Sequence, residues 1–215
     1  MNTSISLKVL EDYAEEISQQ EPEILKELNR ETYQKVLKPR MISGHLQGRL
    51  LSLISKLLQP KNILEIGTFT GYSALCLAEG MQKEGELHTI DKNEELYNLQ
   101  KKYFKKSAYA DQIIQHIGDA KEIIPTLDKE FDLVFIDADK QNYSLYFDLV
   151  FPKMKKGGIF ISDNVLWYGK VTQPTKKGDK ATDQLKAFNQ KLRDDKRIEN
   201  LLLPIRDGIL ISRKL

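Results

Sequence analysis

Apolar positions along the chain follow two different rhythms. Over residues 4–38, Leu7, Leu10, Ala14 and Ile17 recur at helical spacing with charges between them, and Ile24, Leu25, Leu28, Tyr33, Val36 and Leu37 form a second set after Pro22. This predicts two helices, the second opened by Pro22 and ended before Pro39. Ser43 stands where it would N-cap a third helix over 44–58, with Leu46, Leu50, Leu53, Ile54 and Leu57 as its core stripe. After Pro60 the rhythm shortens. Apolar runs at 63–66, 86–90, 112–117, 131–136 and 159–162 read as strands, separated by helical stretches at 72–79, 94–106, 120–127 and 143–151. Strands alternating with helices predict an α/β fold with a doubly wound, parallel sheet. The tail differs: 201–205, Arg206-Asp207-Gly208 and 209–212 read as a hairpin, so the last of seven strands should run antiparallel.

The stretch Asn62–Ser73 (Asn-Ile-Leu-Glu-Ile-Gly-Thr-Phe-Thr-Gly-Tyr-Ser) organises the rest. A buried strand stops at Gly67, Gly71 follows, and a helix begins at Tyr72, which is the ligand-cradling end of a βαβ unit. The pattern is E-x-G-x-x-x-G, so the dinucleotide fingerprint G-x-G-x-x-G is not met. A carboxylate at Glu65 suits a ligand with a cationic part, and S-adenosylmethionine, with its ammonium, sulfonium and carboxylate, fits. The plainer reading is a generic glycine turn with a solvated Glu.

Bulk properties narrow the class. At 215 residues one domain is the default, with residues 1–58 as a helical cap on a core at 59–215. Lys and Arg total 33 against 31 Asp and Glu, a net charge of +2, which does not suggest nucleic-acid binding. The single cysteine, Cys76, excludes a disulfide framework and points to a reducing, cytoplasmic setting. Met1–Gln20 carries four acids and no long apolar core, so it does not read as a signal peptide, and no membrane span is expected.

Ligands of open α/β sheets sit outside the carboxyl ends of the strands. Here those ends carry Glu65, Asp91, Asp119, Asp137, Asp139, Asp163 and Asn164. Asp91, ending the second strand, occupies the ribose-binding position of Rossmann-like folds, although it also precedes a helix that it would N-cap. Asp137 and Asp163 follow strongly apolar strands, and burying unpaired carboxylates is costly. A hard cation resolves that cost: Asp137, Asp163 and Asn164 offer only oxygen ligands, which suits Mg²⁺ (or another divalent ion such as Ca²⁺ or Mn²⁺) and not zinc. Such a centre leaves room for a vicinal aromatic diol. Lys140 then becomes a general base or phenolate stabiliser; without the metal it is better read as a solvated lysine pairing with Asp139.

Three segments together, 63–73, Phe135-Ile-Asp-Ala-Asp-Lys-Gln-Asn-Tyr143 and Asp163-Asn-Val-Leu-Trp167, resemble the metal-dependent O-methyltransferases related to catechol and caffeoyl-CoA O-methyltransferases. The resemblance extends to 41–48 and 203–208, nearly the whole chain. It implies a class I methyltransferase fold, S-adenosylmethionine and usually Mg²⁺. It matches Asp137, Asp163 and Asn164 to the metal ligands and Lys140, with Asp137, to the catalytic positions. It matches Glu65, Gly67, Thr68, Ser73, Asp91, Asp119, Ala120 and Asp139 to cofactor contacts. Ser43 falls where the plant enzymes carry a cofactor-touching Thr. The family is commonly dimeric, with N-terminal helices helping to cover the site. Trp167 and Tyr168 fall at the substrate side; the plant enzymes have Asn in place of Tyr168 and an acid in place of Leu46, departures that bear on the acceptor and not on the chemistry. A loop over 169–180 with Lys170, Lys176, Lys177 and Lys180 would suit an anionic acceptor but reads more simply as solvated.

The expected activity is therefore methylation of a catechol-like or hydroxycinnamoyl-like hydroxyl. A metal-independent methyltransferase acting on RNA or protein predicts an Asn/Asp-Pro-Pro-Tyr-type motif or a basic face, neither of which is present. A non-catalytic module predicts lost strand-end acids, and they are intact.

Overall fold

A computed structural model describes residues 7–215. The helix expected from residue 4 is described from Leu7, as α1 (Leu7–Ile17), and its earlier part lies outside the described residues. Two more helices, α2 (Glu23–Lys35) and α3 (Gly44–Leu58), precede the sheet. The remainder alternates: β1 (Asn62–Ile66), α4 (Tyr72–Ala78), β2 (Glu86–Asp91), α5 (Tyr97–Lys106), β3 (Ile113–Ile117), α6 (Ala120–Thr126), β4 (Phe131–Ile136), α7 (Tyr143–Val150), β5 (Met154–Ser162), α8 (Lys180–Asp194), β6 (Ile198–Leu203) and β7 (Ile209–Lys214).

The seven strands form one sheet in the order β3-β2-β1-β4-β5-β7-β6. β1 to β5 pair in parallel, and β7 runs antiparallel to both β5 and β6, as the hairpin reading expects. Side-chain alternation divides the core between the two faces. Leu64, Ile66, Val134, Ile136 and Phe160 face α6, α7 and α8, with Phe147 and Phe188 among their neighbours. Ile63, Leu133, Phe135 and Ile161 face the other way, with Leu25, Leu51, Tyr72 and Leu75. The order reverses between β1 and β4, so the crevice for a ligand opens there.

Several elements depart from expectation. The stripe expected for α3 is only partly its buried face: Leu50 and Ile54 pack against the core, Leu53 and Leu57 are exposed, and Gln47, Gly48, Leu51, Ser52 and Ser55 are buried. Small residues win there because α3 lies close against α4. A Cβ on Gly48 would stand 2.7 Å from Tyr72 Cε1, and Ser55 Oγ donates to the Leu77 carbonyl at 2.5 Å. Ser43 precedes α3, but its backbone is already helical and its side chain caps nothing. The strand expected at 159–162 begins earlier, at Met154, with a register shift opposite Phe131–Leu133. β6 lies at Ile198–Leu203 rather than 201–205. Helix α8, absent from the sequence reading, is capped by Asp179, which accepts from the Thr182 amide, and buries Leu185, Phe188 and Leu192. No helix among the described residues is long and apolar enough to cross a membrane.

Candidate active site

The carboxyl ends of β1, β2, β4 and β5 are stitched side by side. Gly67 N–H donates to Ile90 O at 2.9 Å, Asp137 N–H to Ile66 O at 2.9 Å, and Asp163 N–H to Ile136 O at 3.0 Å. Gly67 has φ +100°, and a Cβ on it would run into the Asp137 carbonyl, so only glycine lets the β1 turn lie against the end of β4. Gly71, at φ +89°, is similarly pressed against the Phe104 ring.

Glu65 is fully buried, which excludes the solvated reading. Burial raises its carboxyl to about 8; the Ser73 and Thr89 hydroxyls act in the opposite sense, and the charges of Asp91 and Asp137 push it up further. Thr89 Oγ1 donates to Glu65 Oε2 at 2.5 Å, while Oε1 has no partner among the described residues. An unmatched buried carboxylate oxygen at a strand end is what a ligand's ammonium would satisfy. Asp91 is committed to the turn itself: Oδ2 accepts from the amides of Thr68 (3.1 Å) and Phe69 (2.8 Å), and Oδ1 from Asn93 N–H (2.9 Å). The helical cap that the sequence reading allowed at Asp91 belongs instead to Asn93, which accepts from the Glu95 amide.

Ser43, Gly67, Thr68, Ser73 and Asp137 line one cleft, together with Ile42 and Phe69. Asp119 caps α6, accepting from Lys121 N–H at 2.9 Å, and that amide and the Lys121 ammonium hold its carboxyl below the usual range. Ala120 is buried behind it. Asp139 accepts from Tyr146 Oη at 2.7 Å and from the Asn142 amide.

Asp137 and Asp163 end adjacent strands. Asp163 is buried, and its carboxyl is raised to about 6 by that burial and by the Asp137 charge, against the opposing pull of Gln47, Lys140 and the Asn164 amide. Gln47 Nε2 donates to Asp163 Oδ2 at 2.7 Å and Asn164 N–H to Oδ1 at 2.7 Å. Lys140 is neither solvated nor paired with Asp139. It is buried, with Nζ 2.9 Å from Asp137 Oδ1 and 2.6 Å from Tyr143 Oη. Tyr143 is fully enclosed and donates to Asp163 O at 3.0 Å; burial and the two aspartates hold its phenol well above the ordinary value. The ammonium of Lys140 thus stands against one of two repelling carboxylates, as a cation would.

After β5 the backbone enters the left-handed region at Asn164 (φ +55°), Trp167 (+49°) and Tyr168 (+53°). Such angles are uncommon outside glycine and persist only where surroundings hold them. Here the β6–β7 turn does so: Leu166 N–H donates to Asp207 O at 2.9 Å and Tyr168 N–H to Asp207 Oδ1 at 2.5 Å. Tyr168 stands 84% exposed, and the Trp167 indole N–H is buried without a partner among the described residues. Among the described residues no three His, Cys, Asp or Glu side chains converge as a metal cluster, so the candidate centre is two carboxylates and one amide. Its donors fit a hard, oxygen-seeking cation and not a zinc ion.

The O-methyltransferase family pattern matches residues 15–215. The chain belongs to the O-methyltransferase family. Caffeoyl-CoA O-methyltransferase 1 of Eucalyptus globulus is 36% identical over 205 residues, covering 91% of this chain and 83% of the relative. Probable caffeoyl-CoA O-methyltransferase 2 of Dictyostelium discoideum is 33% identical, covering 95% and 90%. Among solved structures, the SAH-bound Podospora anserina methyltransferase PaMTH1 superposes with a TM-score of 0.89 at 28% identity, covering 100% of both chains. The Streptomyces achromogenes O-methyltransferase TomG in complex with SAM gives 0.88 at 27%, covering 96% of each. The family resemblance drawn from the strand-end motifs holds, as does the class I methyltransferase fold it implies. Sequence reasoning missed Gln47, Tyr143 and Arg206 in this O-methyltransferase. Gln47 lies 116 residues from its partner Asp163, so no local pattern announces the contact.

Proposed function

We propose that this O-methyltransferase transfers the methyl group of S-adenosylmethionine to one hydroxyl of a small catechol-like or hydroxycinnamoyl-like acceptor, with Mg²⁺ or another divalent cation held by Asp137, Asp163 and Asn164. The observation that carries the reading is the buried Asp163 beside Asp137, two carboxylates at adjacent strand ends whose nearest cation is the Lys140 side chain. The names of the curated relatives favour a hydroxycinnamoyl thioester or a related diol.

When bound, the sulfonium supplies the methyl group and the cation lowers the pKa of the acceptor hydroxyl and fixes its direction. The chain's own residues bind and orient. Glu65 Oε1 would receive the cofactor's ammonium, Asp91, which holds the Thr68 and Phe69 amides, would shape the ribose end, and Ser43, Gly67, Thr68, Ser73, Asp119, Ala120 and Asp139 would line the rest of its path. Lys140 Nζ would hold the developing phenolate as an ammonium, or take up the acceptor's proton where it meets it as the free amine. Trp167 and Tyr168 flank the acceptor. In-line positioning of this kind supplies on the order of 7 kcal/mol or more of barrier lowering.

The chain works as one domain, residues 1–58 capping the core at 59–215, in the cytoplasm and as a homodimer. Exposed Leu10, Tyr13 and Ile17 on α1 and Leu53 and Leu57 on α3 support the dimer, because these helices pack on each other and leave apolar side chains uncovered. The test is product analysis with S-adenosylmethionine and a panel of catechols and hydroxycinnamoyl thioesters, with and without chelator. Methylated product that disappears on chelation and returns with Mg²⁺ is expected. A rate indifferent to chelator would support metal-independent transfer instead.

A further inference from the structure

A chain of side-chain contacts runs from the surface to the candidate metal ligand. Arg206 lies in the turn between β6 and β7 and is exposed. Its Nη1 donates to the Ser43 carbonyl and, at 3.0 Å, to Gln47 Oε1. Gln47 is fully buried and passes the polarity on, its Nε2 donating to Asp163 Oδ2 at 2.7 Å. The direction of this chain is fixed. A guanidinium only donates and a carboxylate only accepts, so the amide has one orientation that satisfies both neighbours. The backbone holds Arg206 in place at a cost: its φ is +50°, a left-handed conformation that a non-glycine residue seldom adopts.

We infer that Gln47 and Arg206 are positioning residues for the divalent cation: together they lock Asp163 in the rotamer that presents its free lone pairs to the ion. The inference rests on the proposed metal site. The Asn164 amide already engages Asp163 Oδ1, so with Gln47 on Oδ2 the carboxylate can neither rotate nor turn away. Outer partners of metal ligands typically contribute 10- to 100-fold in affinity by this means. The clamp also joins three distant parts of the chain: the start of α3, the end of β5 and the β6–β7 turn. Because Arg206 also grips the Ser43 carbonyl, the same side chain ties the rim of the cofactor cleft to the cation ligand.

Two variants test the inference in the full-length protein, with Mn²⁺ as probe and free Mn²⁺ read by electron paramagnetic resonance. Gln47→Met keeps the volume and removes the donor. It should weaken Mn²⁺ binding by about tenfold, while the affinity for S-adenosylhomocysteine stays within about twofold, since Gln47 does not line that cleft. Arg206→Gly relieves the left-handed backbone but leaves Gln47 Oε1 without its donor, so the two effects oppose and the melting temperature should stay within a few degrees of native while Mn²⁺ binding weakens in the same direction. That combination separates positioning from support of the fold. Native-like Mn²⁺ affinity in Gln47→Met overturns the inference, and native-like affinity in Arg206→Gly alone removes the arginine from it. If the unmodified protein takes up no Mn²⁺, the metal site itself is wrong and the inference falls with it. Tight native binding with unaffected variants refutes the inference alone.

Discussion

Lys140 shows how a single side chain can be misjudged from its neighbours in sequence. Asp139 is adjacent and looks like its partner, yet Asp139 is engaged by Tyr146 and Asn142, and Lys140 turns to Asp137 and Tyr143. A lysine so placed can hold or accept an acceptor proton, and general-base groups contribute about 10²- to 10⁴-fold. Lys140→Ala should therefore lower kcat by about 10²-fold or more while S-adenosylmethionine affinity, read by calorimetry, stays close to native; parallel losses in both would argue against a base. Glu65 gives a test that needs no turnover. Its folded carboxyl titrates at about 8 against an ordinary 4.5. The unfolded chain thus gives up this proton at lower pH than the folded one. Stability supplied by the protonated form is complete below pH 4.5 and drains away as pH rises through about 8. The melting temperature of the cofactor-free protein should fall across that window, and the Glu65→Gln variant should fall less steeply. Identical slopes would mean that Glu65 is already ionised in the folded chain.

At the scale of elements, the existence and order of the strands are readable, because a buried strand is a short apolar run, although β5 and β6 begin earlier than their runs suggest. The helices were less so. Leu53 and Leu57 of the α3 stripe point outward, and the buried face carries Gln47, Gly48, Leu51, Ser52 and Ser55, of which the small residues permit a close approach to α4. Hydrophobicity alone cannot signal a contact whose requirement is small size. Gly48→Leu should overpack this contact, lowering stability by about 1–3 kcal/mol as measured by denaturant unfolding; an unchanged midpoint would show that α3 and α4 can separate freely. Helix α8 went unread because its apolar positions, Leu185, Phe188 and Leu192, are spaced thinly through a charged tract, though the Asp179 cap was there to be found.

Across the whole molecule, the family and the sheet could be read from sequence because the strand-end motifs occur in order. The clamp on Asp163 could not, since Gln47 and Arg206 reach it across 116 and 159 residues of separation at successive contacts. Long-range pairs of this kind are created by topology. For the proposed homodimer, the uncovered apolar residues of α1 and α3 predict that Leu53→Lys combined with Leu57→Lys shifts the sedimentation coefficient from dimer to monomer with the circular dichroism spectrum intact, whereas a dimer coefficient kept by the variant would place the contact elsewhere. Everything in the proposed chemistry depends on one ion meeting three oxygens at the ends of β4 and β5. Anomalous diffraction from crystals soaked in Mn²⁺ tests this most directly. One strong peak within coordinating reach of Asp137, Asp163 and Asn164 together is predicted; Mn²⁺ bound elsewhere, or no peak while Lys140 keeps its hold on Asp137, would contradict it.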